Sequence, residues 1–205
     1  MPRQPMTAEE FAQMRQRLLA ETAKIVATDG FQAMSMRKLA DRVGLTAGAL
    51  YRYFPTKHHL VVAMFADAIG ELNARLAAAA QRGSEATVVL REMLRDYGRF
   101  CVSDHDRFRL LFLENDVGFT TAVSEHPDTF TGYQLVVALA DTAVAAGDLV
   151  APSGEAAAQL LWAAVHGAAT LITTVPELSF GDAEEFIAGA VDMALNGLAP
   201  RTSRA

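Results

Sequence analysis

The chain has few of the residues and patterns that mark disulfide-stabilised, secreted or β-rich proteins. Its 205 residues include one cysteine, which excludes a disulfide framework and favours a reducing compartment such as the cytoplasm. The first residues lack the apolar run of a secretory signal, and no stretch alternates apolar and polar residues as a half-buried strand does. Hydrophobic residues make up 51% of the chain, enough to bury a core. These features predict a cytoplasmic, helical protein.

Charged residues are absent from one long apolar stretch, Ala156–Pro176, which has the length needed to span a bilayer. The same stretch contains Gln159, His166 and three threonines, and much of its apolar character comes from alanine. No cluster of lysine or arginine flanks it to set an orientation in a membrane. We therefore expect a helix buried inside a soluble protein and no membrane partner.

Basic residues are too few overall to suggest a nucleic-acid partner, because the net charge is −6. Their distribution changes this interpretation. Residues 1–60 hold nine basic residues, including all three lysines, against five acidic ones, whereas residues 61–205 hold nine against nineteen. A phosphate backbone would attract the first part and repel the second, which would orient the protein on DNA.

Motifs of common enzyme classes are also missing. The chain has no Gly-x-Ser-x-Gly elbow, glycine-rich phosphate loop or dinucleotide fingerprint. His58 and His59 are adjacent and point to different helix faces, and the other histidines lack the spacing of metal ligands. We expect no catalytic residue, no metal and no cofactor, and a protein that is not an enzyme.

The most informative stretch that is present is Ser35–Leu60, which predicts two short helices joined by a tight turn. Ser35 can cap the first helix, whose apolar residues fall at helical spacing. Gly44 follows that helix, where a left-handed backbone conformation costs glycine little. This arrangement predicts the first half of a helix-turn-helix.

The second helix is predicted to begin after the cap Thr46 and to run from Ala47 to about Tyr53. Pro55 disfavours a helical conformation for Phe54 and so ends the helix. A helix of barely two turns is marginal alone and must be supported by its neighbours. Such a supported short helix, rich in tyrosine and arginine, is typical of the element that enters the DNA major groove.

Helical spacing continues on both sides of this motif, so the predicted fold class is all-α. A first helix ends at Gly30, and Thr56 can cap a helix over residues 57–80. We predict an N-terminal three-helix head, residues 1–56, and a C-terminal helical body, residues 57–205. The further predicted helices are Ala86–Ser103, Asp106–Asn115, Asp128–Ala146, Gly154–Val175 and Asp182–Leu198, with turns at residues 116–118, 126–127, 147–148, 152–154 and 179–182.

The head resembles the TetR family of transcriptional regulators. The resemblance covers about residues 11–65 and is most specific in the pattern Gly44-Leu45-Thr46-x-Gly48-x-Leu50-Tyr51-x-Tyr53-Phe54-x-x-Lys57-x-x-Leu60. The body is similar to a subset of the family that carries a Trp-x-x-x-His-Gly stretch, here Trp162–Gly167. The resemblance implies a homodimer whose heads bind a palindromic double-stranded operator and whose bodies bind a small effector.

The resemblance also implies that several motif residues hold the DNA backbone. Tyr51 and Tyr53 are expected to donate hydrogen bonds to phosphate oxygens, and the alternative is that they are half-packed surface aromatics. Lys57 is placed at a helix start, where its ammonium group and the helix N-terminus both favour a phosphate; otherwise it is a solvated lysine. Thr46 is first a cap and also a candidate phosphate ligand.

Few side chains of the motif can read base edges. Ala47 and Ala49 offer only methyl contacts, for example to thymine. Gly48 is either a flexible position or one whose missing side chain lets the helix start approach the bases closely. Arg37 and Arg52 are therefore the main candidates for guanine contacts, and each is alternatively a phosphate contact or a solvated charge.

The resemblance places the effector site among aromatic residues of the body. Trp162 and His166 are four residues apart and share a helix face, so they are the first candidates, and Tyr97, Cys101 and Phe112 are the others. A largely apolar effector is expected, because ligand pockets are mostly apolar with a few orienting polar groups. Ordinary aromatic core is the alternative for each residue. Phe100, Phe108 and Tyr133 belong to the same aromatic set.

The last two predicted helices are expected to form the homodimer interface, since their small residues permit close approach of helices. These small residues are Ala163, Ala164, Gly167, Ala168, Ala190 and Ala194. The function expected is a ligand-responsive DNA-binding regulator, most often a repressor released by a small molecule. The alternative is a helix-turn-helix fold retained as a protein-interaction module that does not bind DNA.

Overall fold

A computed structural model of the chain describes residues 6–30, 33–83, 85–113 and 127–201. No strand occurs within these ranges, so the all-α prediction is confirmed. The helices are α1 (Ala8–Asp29), α2 (Met36–Val43), α3 (Ala47–Leu50), α4 (Lys57–Ala80), α5 (Ala86–Ser103), α6 (His105–Phe108), α7 (Thr131–Ala146), α8 (Gly154–Thr174) and α9 (Ala183–Leu198), with a π-helical segment at Arg109–Leu113 and a 3-10 turn at Pro127–Phe130.

The turn between α2 and α3 has the predicted caps. The Ser35 hydroxyl accepts the backbone N–H of Lys38 at 3.2 Å, which starts α2. Gly44 ends that helix in the left-handed region at φ 72° and ψ 29°. The Thr46 hydroxyl then accepts the backbone N–H of Ala49 at 3.2 Å, which starts α3. These caps fix where each helix of the motif begins and ends.

The head has its own hydrophobic core, which supports the short α3. Leu50, the last residue of α3, is completely buried, and so is Phe54 just beyond it. Leu45, in the turn between α2 and α3, is half-buried and packs against this core. The other completely buried residues of this core are Leu18, Ile25, Leu39 and Leu60.

Helix α3 is shorter than predicted, ending at Leu50 and not at Tyr53. The next residues continue as tight turns, in which the N–H of Arg52 bonds to the carbonyl of Ala49 at 3.3 Å and the N–H of Tyr53 to that of Leu50 at 2.9 Å. These i→i+3 bonds replace the α-helical pattern before Pro55, which the helical spacing of side chains does not reveal.

Two predicted helices also differ from the structure. The segment predicted as a helix from Asp106 begins as the four-residue α6 and continues as a π-helical segment to Leu113. The helix predicted from Asp128 begins with a 3-10 turn before α7 starts at Thr131. Asn115, where the helix from Asp106 was predicted to end, lies outside the described residues. So do the predicted turn at residues 116–118 and His126 of the predicted turn at residues 126–127.

The body is a group of helices in which α5 packs against α7, α8 and α9. Gly98 of α5 lies against α9, and a Cβ atom built on it would be 2.2 Å from Cγ2 of Ile187 and 3.3 Å from Cγ1 of Val165. Two helices meet here at a distance that only glycine permits. This approach brings the middle of α5 to the helices that carry the candidate effector residues.

Helix α8 is long and apolar enough to cross a membrane when judged by length and composition alone. In the structure it packs against α5, α7 and α9, and residues such as Leu161 and Val165 are completely buried. Core helices of soluble proteins pass the same test of length and composition.

Contacts within the chain divide it into two compact units. One comprises Met1–Ala68 and Asp106–Glu125, and the other Ile69–His105 and His126–Ala205. The predicted boundary at residues 56 and 57 precedes α4, whereas the units divide within α4. The single helix α4 therefore contributes to both units, and a boundary placed at its start stays a prediction.

Candidate nucleic-acid interface and effector site

The N-terminal part of α3 is exposed at the surface of the head. Ala47 and Gly48 are exposed, Ala49 is half-buried, and Leu50 anchors the helix in the core. A Cβ atom built on Gly48 would meet no atom of the protein within 4 Å. Packing inside the chain therefore does not require glycine here. The start of α3 therefore presents the backbone of Gly48 and the methyl group of Ala47 at the surface of the protein.

The basic residues of α2 and of the turn after α3 fall into two groups. Lys38 is bound to Asp29 at the end of α1 at 2.8 Å, and Arg42 lies 4.0 Å from Glu21. The Lys38 ammonium group lowers the pKa of the Asp29 carboxyl.

The second group consists of Arg37 on α2 and Arg52 just after α3. Both are exposed, and neither forms an ion pair within the part of the chain that the structure describes. The guanidinium groups of these two predicted readers are therefore available to an external anion.

The two tyrosines of the motif have different environments. Tyr51 is 48% exposed, so its hydroxyl is accessible to a partner outside the protein. Tyr53 is only 7% exposed; its ring stacks on Phe11 at 4.7 Å between centroids, and its hydroxyl donates to the sulfur of Met6 at 3.2 Å. A phosphate contact is geometrically straightforward for Tyr51. For Tyr53 it requires the hydroxyl to exchange Met6 for phosphate.

Arg15 of α1 supports the end of α3, a role that the sequence analysis missed. Its guanidinium donates to the carbonyl oxygen of Tyr53 at 2.6 Å and lies 4.3 Å from the centroid of the Phe54 ring. The side chain thereby satisfies a carbonyl left over by the short helix. Its spacing could have indicated this role, because Arg15 lies on the same face of α1 as Phe11 and Leu18, which pack in the core of the head.

The start of α4 follows directly on the motif. The Thr56 hydroxyl accepts the backbone N–H of His59 at 3.3 Å, as expected for the cap, and bonds to Nδ1 of the same ring at 2.8 Å. Lys57 is half-buried in the first turn, in which no acidic residue occurs. A helix start that carries a lysine is electrostatically favourable for a phosphate.

In the body, three candidate effector residues form one hydrogen-bonded cluster. The indole Nε1 of Trp162 donates to the hydroxyl of Tyr97 at 2.9 Å, and this hydroxyl lies 2.7 Å from Nδ1 of His166. Because an indole N–H can only donate, the Tyr97 oxygen accepts it, and the direction of the bond between Tyr97 and His166 follows from the tautomer of the imidazole. The cluster thus joins α5 to α8 through a neutral tyrosine and a neutral imidazole.

Burial explains why this cluster is uncharged. It raises the pKa of the Tyr97 hydroxyl well above its usual range, with a further contribution from Cys101 beside it. It also lowers the pKa of His166. Cys101 is completely buried, which restricts it to lining the cluster from within the core.

The remaining aromatic candidates divide between the two units. Tyr133 of α7 lies beside Trp162, with 5.7 Å between the ring centroids, and extends the cluster to a third helix. Phe112 belongs to the other unit, where its ring lies 5.3 Å from that of Phe108. The structure therefore brings Tyr97, Trp162, His166 and Cys101 together within one unit, whereas Phe112 is described beside Phe108 in the other.

Comparison with known families identifies the head. The model for bacterial regulatory proteins of the tetR family matches residues 18–64, a range that contains α2, α3 and the first turns of α4. The head of this chain therefore matches the TetR family. Similarity to curated TetR-type proteins is regional. The chain is 35% identical over 77 residues to the HTH-type transcriptional repressor KstR of Mycobacterium tuberculosis and 36% identical over 76 residues to that of Mycolicibacterium smegmatis.

These matches cover 38% and 37% of this chain and 35% and 37% of the two repressors, so the chain spans about a third of the length of the curated relatives that it matches. Solved structures extend the likeness to the whole fold. A protein of unknown function from Rhodococcus sp. RHA1 has a TM-score of 0.79 at 25% identity, over 97% of this chain and 100% of that one.

The transcriptional regulator FadR of Bacillus subtilis, solved in complex with stearoyl-CoA, has a TM-score of 0.74 at 14% identity, over 91% of this chain and 99% of that one. At such identity the likeness concerns the fold alone. The fold of these two solved proteins therefore extends through the body of this chain as well as its head.

Proposed function

We propose that this protein is a DNA-binding transcriptional repressor of the TetR family, controlled by a small molecule. The observation that carries the proposal is the exposed start of α3, together with the exposed Arg37 and Arg52, neither of which forms an ion pair with a described residue. Such a helix start, with arginines before and after it in the chain, has the shape and charge to enter a major groove. The naming of its curated relatives as transcriptional repressors supports the same function.

In the proposed complex, Tyr51 and Lys57 hold phosphates, and Thr46 and Tyr53 remain candidates for the same role. Arg37 and Arg52 contact bases or phosphates, and Ala47, Gly48 and Ala49 lie against the groove. The acidic body is repelled by DNA, which favours binding through the head. The protein would act in the cytoplasm and would not be an enzyme.

The first experiment measures binding to DNA flanking the protein's own gene by fluorescence anisotropy over a range of salt concentrations. Binding through phosphates makes the logarithm of the affinity fall linearly with the logarithm of the salt concentration, by about 0.9 for each phosphate contacted. Arg52→Ala, present twice in a dimer, should reduce this slope by about two if Arg52 binds phosphate. It should relax sequence preference if Arg52 binds a base.

Lys24→Ala is a matched control, because Lys24 lies on α1 of the same head and is already bound to Glu21 at 2.6 Å. It should leave the slope and the affinity nearly unchanged. Affinity that does not depend on salt, or an equal effect of the two variants, would show that the protein does not bind DNA through this surface. The protein-interaction alternative would then be favoured.

We propose that the effector binds beside the cluster of Tyr97, Trp162 and His166. There an apolar ligand would lie between α5 and α8, which these side chains join by hydrogen bonds, and the ring of Tyr133. The stearoyl-CoA bound by FadR is a first ligand to test, together with a panel of metabolites and drugs. Trp162 is the only tryptophan of the chain, so its fluorescence reports directly on this site.

An effector that favours a conformation unable to bind DNA should change this fluorescence and weaken operator binding. Operator DNA should in turn weaken effector binding by the same factor. Trp162→Phe removes the indole N–H and the fluorescence signal but retains an aromatic ring. It should alter the effector response and spare operator binding. Loss of both together would indicate damage to the fold and not a ligand site.

We further propose that α8 and α9 form the homodimer interface. They leave an apolar face exposed, on which Leu160 is 57% and Met193 is 68% exposed, while Gly167 and Gly189 provide room for close approach. Ala168, expected at this interface, is buried within the subunit. The other small residues, Ala163, Ala164, Ala190 and Ala194, are exposed or half-buried.

Gly167→Glu tests this interface, since a side chain at Gly167 would meet no atom of the same chain within 4 Å. It should convert a dimer to a monomer in analytical ultracentrifugation, because a carboxylate would be buried against the apolar face of the partner. Gly70→Glu is the matched control, because Gly70 is an exposed residue of α4 and a side chain there would also meet no atom of the same chain within 4 Å. A Gly167→Glu protein that remains a dimer would contradict this interface.

A further inference from the structure

A cavity lies in the body, apart from the aromatic cluster. It is a cavity of about 610 Å³, where α5 begins and α7 and α9 end. This volume is in the range of small-molecule sites. Leu149 and Leu195 line it and are both almost completely buried, so the cavity has an apolar floor.

The basic residue that lines this cavity is in an ion pair, whereas the two acidic residues that line it are in none with the residues that the structure describes. Arg91 lines it, but its guanidinium is bound to the carboxylate of Asp192. Glu85 and Asp148 also line it and are exposed. Neither carboxylate has an ion-pair partner within the described ranges, and Glu85 makes no capping hydrogen bond at the start of α5. The formal charges left without a partner at the cavity are therefore both negative.

The helix ends add to this negative potential. Helices α7 and α9 end at the cavity, and neither has a basic residue in its last turn. The C-terminus of a helix carries a partial negative charge of about half an electron, which a lysine or arginine would normally offset. The start of α5 carries the opposite partial charge, and the carboxylate of Glu85 lies there to balance it.

We propose that this cavity binds an amphiphilic organic cation. Its apolar part would pack on Leu149 and Leu195, and its ammonium group would face Glu85 and Asp148. Thr142 and Asn196 line the same cavity and offer hydroxyl and amide oxygens to the ammonium hydrogens. The site is separate from the effector site proposed above, and its existence does not depend on DNA binding.

The experiment compares three ligands that share an apolar body and differ in charge: 4-phenylbutylamine, 4-phenylbutanol and 4-phenylbutanoate. Each is titrated into the full-length protein labelled at leucine, alanine and threonine methyl groups, and binding is followed by methyl NMR. The amine should shift the methyl signals of Leu149 and Leu195. The alcohol should bind several-fold more weakly, and the carboxylate should not bind.

Glu85→Gln combined with Asp148→Asn removes both charges without changing the shape of the exposed side chains. It should weaken amine binding about fivefold and leave binding of the alcohol unchanged, in line with the modest strength of exposed ion pairs. Glu177→Gln, an exposed acidic residue that does not line the cavity, is the matched control and should have no effect.

A methyl spectrum that retains its native dispersion establishes that the double variant is folded. Three results would overturn the proposal: equal binding of the three ligands, amine binding unaffected by the double variant, or shifts confined to residues that do not line the cavity. Because DNA plays no part in the titration, its failure would leave the proposed repressor function untouched.

Discussion

Replacing Gly48 by alanine should have opposite effects on the stability of the protein and on its affinity for DNA. The added methyl group would meet no atom of the chain within 4 Å, and the backbone at Gly48 does not adopt a positive φ. Alanine in a helix is more favourable than glycine by about 0.5–1 kcal/mol, because glycine loses more conformational freedom on folding. For a chain of this size, that corresponds to a rise in Tm of about 1–4 °C.

The same methyl group would protrude about 1.5 Å beyond Cα, at the start of the helix proposed to lie against the bases. If the backbone approaches DNA at van der Waals distance, the helix must withdraw and lose contacts. A disturbed base contact costs about 1–3 kcal/mol, so the operator affinity should fall about tenfold or more. Calorimetry measures the stability, and fluorescence anisotropy at fixed salt measures the affinity.

Gly70→Ala is the matched control, because Gly70 is also exposed, lies within a helix and has no atom within 4 Å of a built Cβ. It should raise the Tm similarly and leave the operator affinity unchanged. A Gly48→Ala protein that is more stable and still binds DNA with wild-type affinity would refute the close approach of this helix start. A less stable protein would refute the account of its packing.

Three further predictions concern the body. Tyr97→Phe removes the oxygen that binds both Trp162 and His166 and should lower the free energy of unfolding by about 1–3 kcal/mol in urea titrations; a loss below about 0.5 kcal/mol would contradict the importance of the cluster. Gly98→Ala should cost about 1–3 kcal/mol by overpacking against Ile187, and Ile187→Ala in the same chain should recover part of it, whereas additive losses would argue against this contact. Because burial lowers the pKa of His166, the unfolded chain binds a proton before the folded one does. The neutral imidazole therefore contributes fully to the free energy of unfolding above its ordinary pKa of 6.5, and this contribution declines as the pH falls towards the pKa of the folded state. His166→Gln should make the free energy of unfolding less dependent on pH between about pH 7.5 and 5.5 than it is in the wild type.

The caps of the head could be predicted from sequence because they depend on local chemistry. A serine or threonine that accepts a backbone N–H three residues later, and a glycine with positive φ after a helix, act over a few residues. Ser35, Gly44 and Thr46 therefore have the predicted roles. The extent of α3 was predicted less well, because the i→i+3 bonds at Arg52 and Tyr53 depend on the fold around them.

The candidate sites depend on contacts between residues far apart in the chain, and sequence spacing predicted only part of them. Helical spacing correctly placed Trp162 and His166 on one face of a helix. It could not show that Tyr97, separated from His166 by 69 residues, bridges the two side chains. Likewise, Arg15 and Tyr53 are 38 residues apart, and only the structure shows that one supports the carbonyl of the other.

The burial of Tyr53 and the pairing of Lys38 and Arg42 reduce the set of residues that can determine which DNA sequence is bound. With two of the basic side chains engaged by acidic residues of α1, Arg37 and Arg52 carry the charge that remains free on either side of α3. The methyl groups of α3 discriminate weakly between bases, because a thymine methyl is the chief apolar feature of the major groove. In the proposed complex, sequence preference should therefore arise from two arginines for each subunit and from the deformability of the DNA between the half-sites. If so, substitutions in the central base pairs that no side chain reaches should change affinity as strongly as substitutions at the contacted guanines.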